Sequence, residues 1–166
     1  MAVNILDIGS KSNYPVGELS NFAVHEFILD GVICSSMESF LQALKFEKPH
    51  VQAEICKLNG IKAKQRGNDR NNQWKLKQGL WWQGNIYLRK SVEYQRLLDR
   101  AFLALVNSSE KYKQALLDTG DLILTNNIGK NNESETTLTQ GEFCSRLMKL
   151  RKFLRNGVNL NLEKKL

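Results

Sequence analysis

The spacing of apolar positions changes along the chain, and the changes mark its elements. In "HEFILDGVICSS", residues 25–36, two short apolar runs flank Asp30-Gly31. Asp-Gly between such runs is a favoured two-residue turn, so a β-hairpin is expected. A helix is expected next, from Ser36 to about Phe46, with Met37, Phe40, Leu41 and Leu44 forming its apolar arc. Pro49 interrupts it, and a short helix around Val51, Ile55 and Leu58 ends near Gly60. From Ser91 to Val106 the apolar residues Tyr94, Leu97, Leu98, Ala101 and Leu105 recur at intervals of three and four, the pattern of a helix with one buried stripe. Ser109 can cap a further helix that stops at Gly120. "DLILT" reads as a short strand, and 126–138, "NNIGKNNESETTL", as a long polar loop, which in a compact domain is functional or disordered. Thr139 and Glu142 have capping-box spacing ahead of a last helix that buries Phe143, Leu147, Leu150 and Leu154. The sum is an α+β fold, mainly helical with a small sheet or hairpin. It forms a single domain over residues 1–156, with a flexible tail at 157–166.

Composition narrows the function classes. The chain has 166 residues, 42% of them hydrophobic, enough for one core. No run of about 18 apolar residues is present, so no membrane span is expected, and the first ten residues lack a signal peptide's pattern. Cys34, Cys56 and Cys144 form neither a disulfide framework nor a C-x-x-C pair, which points to a reducing cytoplasm. There is no phosphate-cradling GxxxxGK or GxGxxG loop, no HExxH and no Cys/His cluster, so neither metal nor cofactor is expected. The formal net charge of +7 fits an anionic partner or plain solubility.

Three groups of residues can carry chemistry. Lys62, Lys64, Arg66, Arg70, Lys75 and Lys77 interleave with Trp74; such a stretch can bind single-stranded nucleic acid, hold a diphosphate, or be a solvated face. Trp81 and Trp82 are adjacent, so on a strand they point to opposite faces, and one can line a pocket and stack on a base. Glu38, Gln42 and Lys45 lie within about 60° of one another on a helical wheel, bordering the apolar arc. Ser35 and Glu38 also have capping-box spacing, so Glu38 is either a cap or a catalytic carboxylate. Cys144, on the apolar side of the last helix, reads as a buried, inert thiol.

"ELSNFAV", the hairpin and "SSMESFLQALKF" together resemble the opening of the NADAR family, L-S-N-F followed by S-x-E-[HS]-[YF]-x-Q-A-x-K-F. "QRGNDR", "ALLDTGDLIL" and "LMKLR" resemble later steps of that family, so the resemblance spans about residues 14–155. Two segments depart from it. The loop 126–138 carries no D-x-x-W-G-x-G, and the last helix opens "TQGEFC", which resembles a divergent phage-encoded branch. The resemblance implies a NADAR-like fold and cleavage of N-glycosidic bonds in ADP-ribosylated guanine or in phosphorylated intermediates of riboflavin synthesis. It implies Glu38 and Lys45 as catalytic residues. The candidate substrate-binding residues are Ser20, Asn21, Phe22, Ser39, Gln42, Arg66, Asp69 and Trp82. No cofactor is implied. The partner is then an anionic small molecule or an ADP-ribosylated nucleic acid. The rival reading is a non-catalytic module that binds ADP-ribose or nucleic acid.

Overall fold

Local chemistry sets the element ends in the computed structural model, which describes residues 4–157. In chain order the elements are β1 (Ile5–Asp7), α1 (Val16–Leu19), β2 (Phe27–Leu29), β3 (Val32–Cys34), α2 (Met37–Ala43), α3 (Pro49–Lys57) and α4 (Gly60–Asn68). There follow α5 (Asn71–Lys77), β4 (Gly79–Trp82), β5 (Asn85–Leu88), α6 (Val92–Ser108), α7 (Glu110–Asp118), β6 (Ile123–Thr125) and α8 (Gln140–Arg155). Ser36, Asn59, Ser91, Ser109 and Thr139 each accept a backbone amide hydrogen bond at a helix start. The box expected at Thr139 and Glu142 is complete.

The strands pair two by two. β2 and β3 form the expected antiparallel hairpin, and its turn residues Asp30 and Gly31 take φ of 48° and 81°. A second hairpin, β4–β5, turns on Gln83 and Gly84 with φ of 51° and 82°. β1 runs parallel to β6, with Ile5 opposite Ile123. The basic stretch expected after Gly60 is two helices, α4 and α5, joined by a tight bend at Asp69–Arg70.

Pro49 opens α3 as its first residue, where a missing N–H costs nothing. The preceding helix is shorter than expected. α2 stops at Ala43 with Leu44 as its cap, so Lys45 and Phe46 lie in the turn beyond it. Gln52, fully buried on α3, holds that turn together. Its Nε2 lies within hydrogen-bonding distance of the carbonyls of Ala43, Phe46 and Trp81, at 3.3, 2.8 and 2.7 Å, and the first of these is a group the helix end would otherwise leave unpaired.

α6 is the spine of the core, burying Leu97, Leu98, Ala101, Phe102 and Leu105 against β2, α7 and α8. On α8 Phe143, Leu147 and Leu150 are buried, while Leu154 is only half-buried. α2 is buried on every side except at Glu38. Its Phe40 sits in an aromatic cluster with Phe27 and Trp82, at centroid distances of 6.3 and 5.0 Å. Among the described residues no helix is long and apolar enough to cross a membrane. The tail expected at 157–166 lies outside the described residues from position 158 on.

Candidate functional site

One cleft of about 320 Å³ opens where α2 leaves the core. Its walls come from the segment Ser20–Asn21–Phe22, from α2, α4 and α5, from Ile8–Gly9–Ser10 after β1, and from the loop after β6. Glu38 and Lys45 both line it.

The start of α2 is built to leave Glu38 free of capping. The cap is Ser36, whose Oγ accepts the Ser39 amide at 3.2 Å. Ser35, the cap expected from spacing, instead donates its hydroxyl to the Leu58 carbonyl. The Glu38 amide donates to the Asn21 carbonyl at 2.9 Å, which docks the "LSNF" segment onto the helix. The carboxylate turns into the cleft, and its Oε1 accepts Gln42 Nε2 at 2.7 Å. Burial raises the Glu38 pKa above the usual carboxylate range, with Gln42, Lys64 and Lys45 acting in the opposite direction.

Gln42 has room for its side chain because residue 67 is a glycine. A Cβ at Gly67 would stand 1.8 Å from Gln42 Oε1 and 2.8 Å from its Cδ. Gly67→Ala is therefore expected to displace the Gln42 amide and to lower turnover at least about tenfold, the equivalent of about 1.4 kcal/mol. Stability in thermal unfolding should also fall, by about 1–3 kcal/mol, because Gln42 is buried and the added methyl group crowds its Cδ and Cβ as well as its amide oxygen. Unchanged turnover in this variant would show that Gln42 does not orient Glu38.

Lys45 is only 8% exposed. Its Nζ donates to Asn71 Oδ1 at 2.7 Å. Burial pushes its ammonium down to about 8, against an upward pull from Glu38, with Lys75, Lys64 and Lys130 adding to the fall. Lys64, Lys75 and Lys130 also line the cleft, so four lysines face two acids, Glu38 and Glu135. Lys75 pairs with Glu135 at 3.1 Å across the rim. Phe22 lies at the mouth, with Lys64 Nζ 5.6 Å from its ring centroid.

The structure brings Ser20, Asn21, Phe22, Glu38, Gln42 and Lys45 into this cleft. It separates the other expected residues from it. Ser39 is turned away and donates to the Leu58 carbonyl at 2.6 Å. Arg66 and Asp69 are exposed on the outer side of α4 and its cap. Trp82 is in the core, with Nε1 donating to Asp30 Oδ2 at 2.8 Å. The tryptophan that lines the cleft is Trp74, which the alternation argument for the Trp81–Trp82 pair did not reach. Asn71 and Lys130 also line the cleft, and neither stands in a motif that marks it. Among the described residues no group of three His, Cys, Asp or Glu is placed to hold a metal ion.

The loop 126–138 forms the far wall. Arg89 Nε donates to the Thr136 carbonyl at 2.8 Å and Tyr94 Oη to that of Thr137 at 2.6 Å. Gln78 Nε2 donates to the carbonyl of Ser134 at 3.0 Å, and the Gln140 amide to that of Lys130 at 2.9 Å.

The fold is similar to that of YbiA from E. coli, solved by NMR, with a TM-score of 0.64 over 95% of this chain and 88% of that one at 21% identity. YbiA is a NADAR-family protein. The chain is 30% identical over 153 residues to a 17.1 kDa protein from the Gp30–rIII intergenic region of Enterobacteria phage T4, covering 88% of this chain and 96% of that protein. The family model described as bacteriophage protein GP30.3 matches residues 13–152. The chain thus belongs to the bacteriophage GP30.3 family, and its fold is similar to that of YbiA.

Proposed function

We propose that the protein is an N-glycosidase acting on an anionic N-glycoside, either ADP-ribosylated guanine, free or in nucleic acid, or a ribosyl-phosphate aminopyrimidine. The observation that carries this reading is the Glu38 carboxylate, buried and bonded only to a neutral amide, in a cleft whose lining holds four lysines against two acids. Breaking a C1–N bond builds positive charge on the ribose ring. Glu38 is suited to stabilise that charge and to take a proton from the attacking water, whose oxygen then bonds to C1. Lys45 is suited to hold a phosphate or to assist the departing base, which leaves with the C1–N electron pair and gains a proton. The other lysines supply a general attraction for phosphate. Cys34, Cys56 and Cys144 are free, buried thiols, as suits a reducing cytoplasm. Exposed Lys62, Arg66 and Lys77 on α4 and α5, outside the cleft, support the rival reading, in which the protein only binds nucleic acid.

Incubation with ADP-ribosylated guanine and with ribosylaminopyrimidine phosphates, followed by chromatography, tests the proposal. Free base is expected from at least one substrate; bound but intact substrates would favour the binding module. The rate should depend on pH as a bell. It rises as Glu38 loses its proton, at a pH above the ordinary carboxylate range, because burial favours the neutral acid. It falls as Lys45 loses its proton near pH 8. In Lys45→Met turnover should drop at least about tenfold and the alkaline limb should disappear. An alkaline limb that survives in Lys45→Met would assign it to another group.

A further inference from the structure

Asn71 is the first residue of α5, and its side-chain oxygen faces two donors. Lys45 Nζ donates to Oδ1 at 2.7 Å and Trp74 Nε1 donates to the same atom at 3.3 Å. Nδ2 reaches Asn68 Oδ1 at 3.5 Å. An indole N–H is a donor only, so it fixes which end of the amide is the oxygen. Trp74 is 1% exposed and packed in the core. The oxygen is thereby locked toward Lys45.

The partner of Lys45 is a neutral amide. A buried ammonium normally finds a carboxylate, and that pairing would cancel its charge and tie up its donors. Among the described residues Lys45 makes no ion pair. The charged groups that act on it are Glu38 from α2, Lys64 from α4, Lys75 from α5 and Lys130 from the loop after β6. An amide oxygen takes one hydrogen bond from the ammonium and leaves its charge and its other donors for a ligand. A second contact fastens the same two segments: Arg70 lies 5.2 Å over the ring of Phe46, so residues 70–71 grip residues 45–46.

We propose that Asn71 is a positioning residue that aims the Lys45 ammonium into the cleft with no carboxylate in contact with it, ready for the phosphate or the departing base of the substrate. The ligand named here rests on the N-glycosidase reading; the positioning of Lys45 does not. Asn71→Asp puts a carboxylate where the amide was. Asn71→Ala removes the acceptor and leaves the ammonium without it.

The test is the titration of Lys45 in the full chain, followed by NMR of lysine side chains labelled with carbon-13 and assigned by the signal missing in Lys45→Met. Wild-type protein should titrate near pH 8. Asn71→Asp should raise the midpoint by about 1–3 pH units, the scale for a new opposite charge in contact, and Asn71→Ala should lower it. The alkaline limb of the base-release rate should move with the midpoint in each variant. Midpoints unchanged in both folded variants would overturn the proposal. If one variant fails to fold, the other decides. Midpoints that shift as expected in a protein that cleaves no N-glycoside would uphold the role of Asn71 and refute the proposed activity. Cleavage with unshifted midpoints would do the reverse.

Discussion

Glu38→Gln is expected to fold normally, bind its ligand, and release base about 10²-fold more slowly or worse, the scale of a lost general base. The geometry makes this substitution informative. Glu38 plays no part in capping α2, since Ser36 does that work through the Ser39 amide. Glutamine keeps an oxygen for the hydrogen bond from Gln42 Nε2, so the local network survives. What disappears is the charge, which burial already disfavours. Stability at neutral pH should therefore hold or rise slightly, while turnover collapses. For the same reason Glu38→Ala should show no loss of capping energy. Base release at the wild-type rate by a folded Glu38→Gln protein would mean that the carboxylate is a bystander.

The largest stability effect is expected at Arg89, which is fully buried. Its guanidinium donates to Glu142 Oε2 and Oε1 at 3.1 and 2.6 Å, and to the Thr136 carbonyl at 2.8 Å. It also lies 5.0 Å over the Tyr94 ring. Burial by itself would raise the Glu142 pKa, but hydrogen bonds from Arg89, the Thr139 amide and Gln95 reverse this and leave it lowered. Arg89→Met should cost about 3–5 kcal/mol in denaturant unfolding at neutral pH, as when one partner of a buried ion pair is removed. Because the folded Glu142 pKa lies below its unfolded value, its contribution is present above the usual carboxylate range and is lost as pH falls through the folded pKa. The variant should thus lose part of the wild-type acid sensitivity. Amides of the loop 134–137 should exchange faster, since Arg89 holds the Thr136 carbonyl. A cost below about 1 kcal/mol would show that the pair contributes little.

How far the sequence spoke depended on whether a signal was local. Asp30-Gly31, Ser91, Ser109, Gly120 and the Thr139–Glu142 box carry their geometry in adjacent residues, and the first hairpin, α6, α7 and α8 follow from them. β1 has three residues and pairs with β6 from across the chain, so nothing nearby marks it. The second hairpin turns on Gln83-Gly84, and glutamine at positive φ is a weak turn signal. α2 ends early because Gln52 and the Trp81 amide, both remote in sequence, take over its last carbonyls. The site divides the same way. Glu38 and Gln42 are visible as one helical stripe. Lys45 reaches the cleft from the turn after the helix, and Asn71 and Trp74 join it only because α5 folds back onto that turn. Trp82 lies in the core rather than in the cleft because the choice between the two faces of β4 is made by packing against Phe40, which in turn meets Phe27.

The most direct measurement is the fate of solvent oxygen. The wild-type protein is incubated with ADP-ribosylated guanine, and separately with ribosylaminopyrimidine phosphate, in water enriched in oxygen-18. The sugar product is then weighed by mass spectrometry before exchange at C1 is complete. Hydrolysis at the Glu38 cleft requires free base together with one solvent oxygen in the released ribosyl product. Recovery of both substrates intact, with no labelled sugar and no free base, would contradict it.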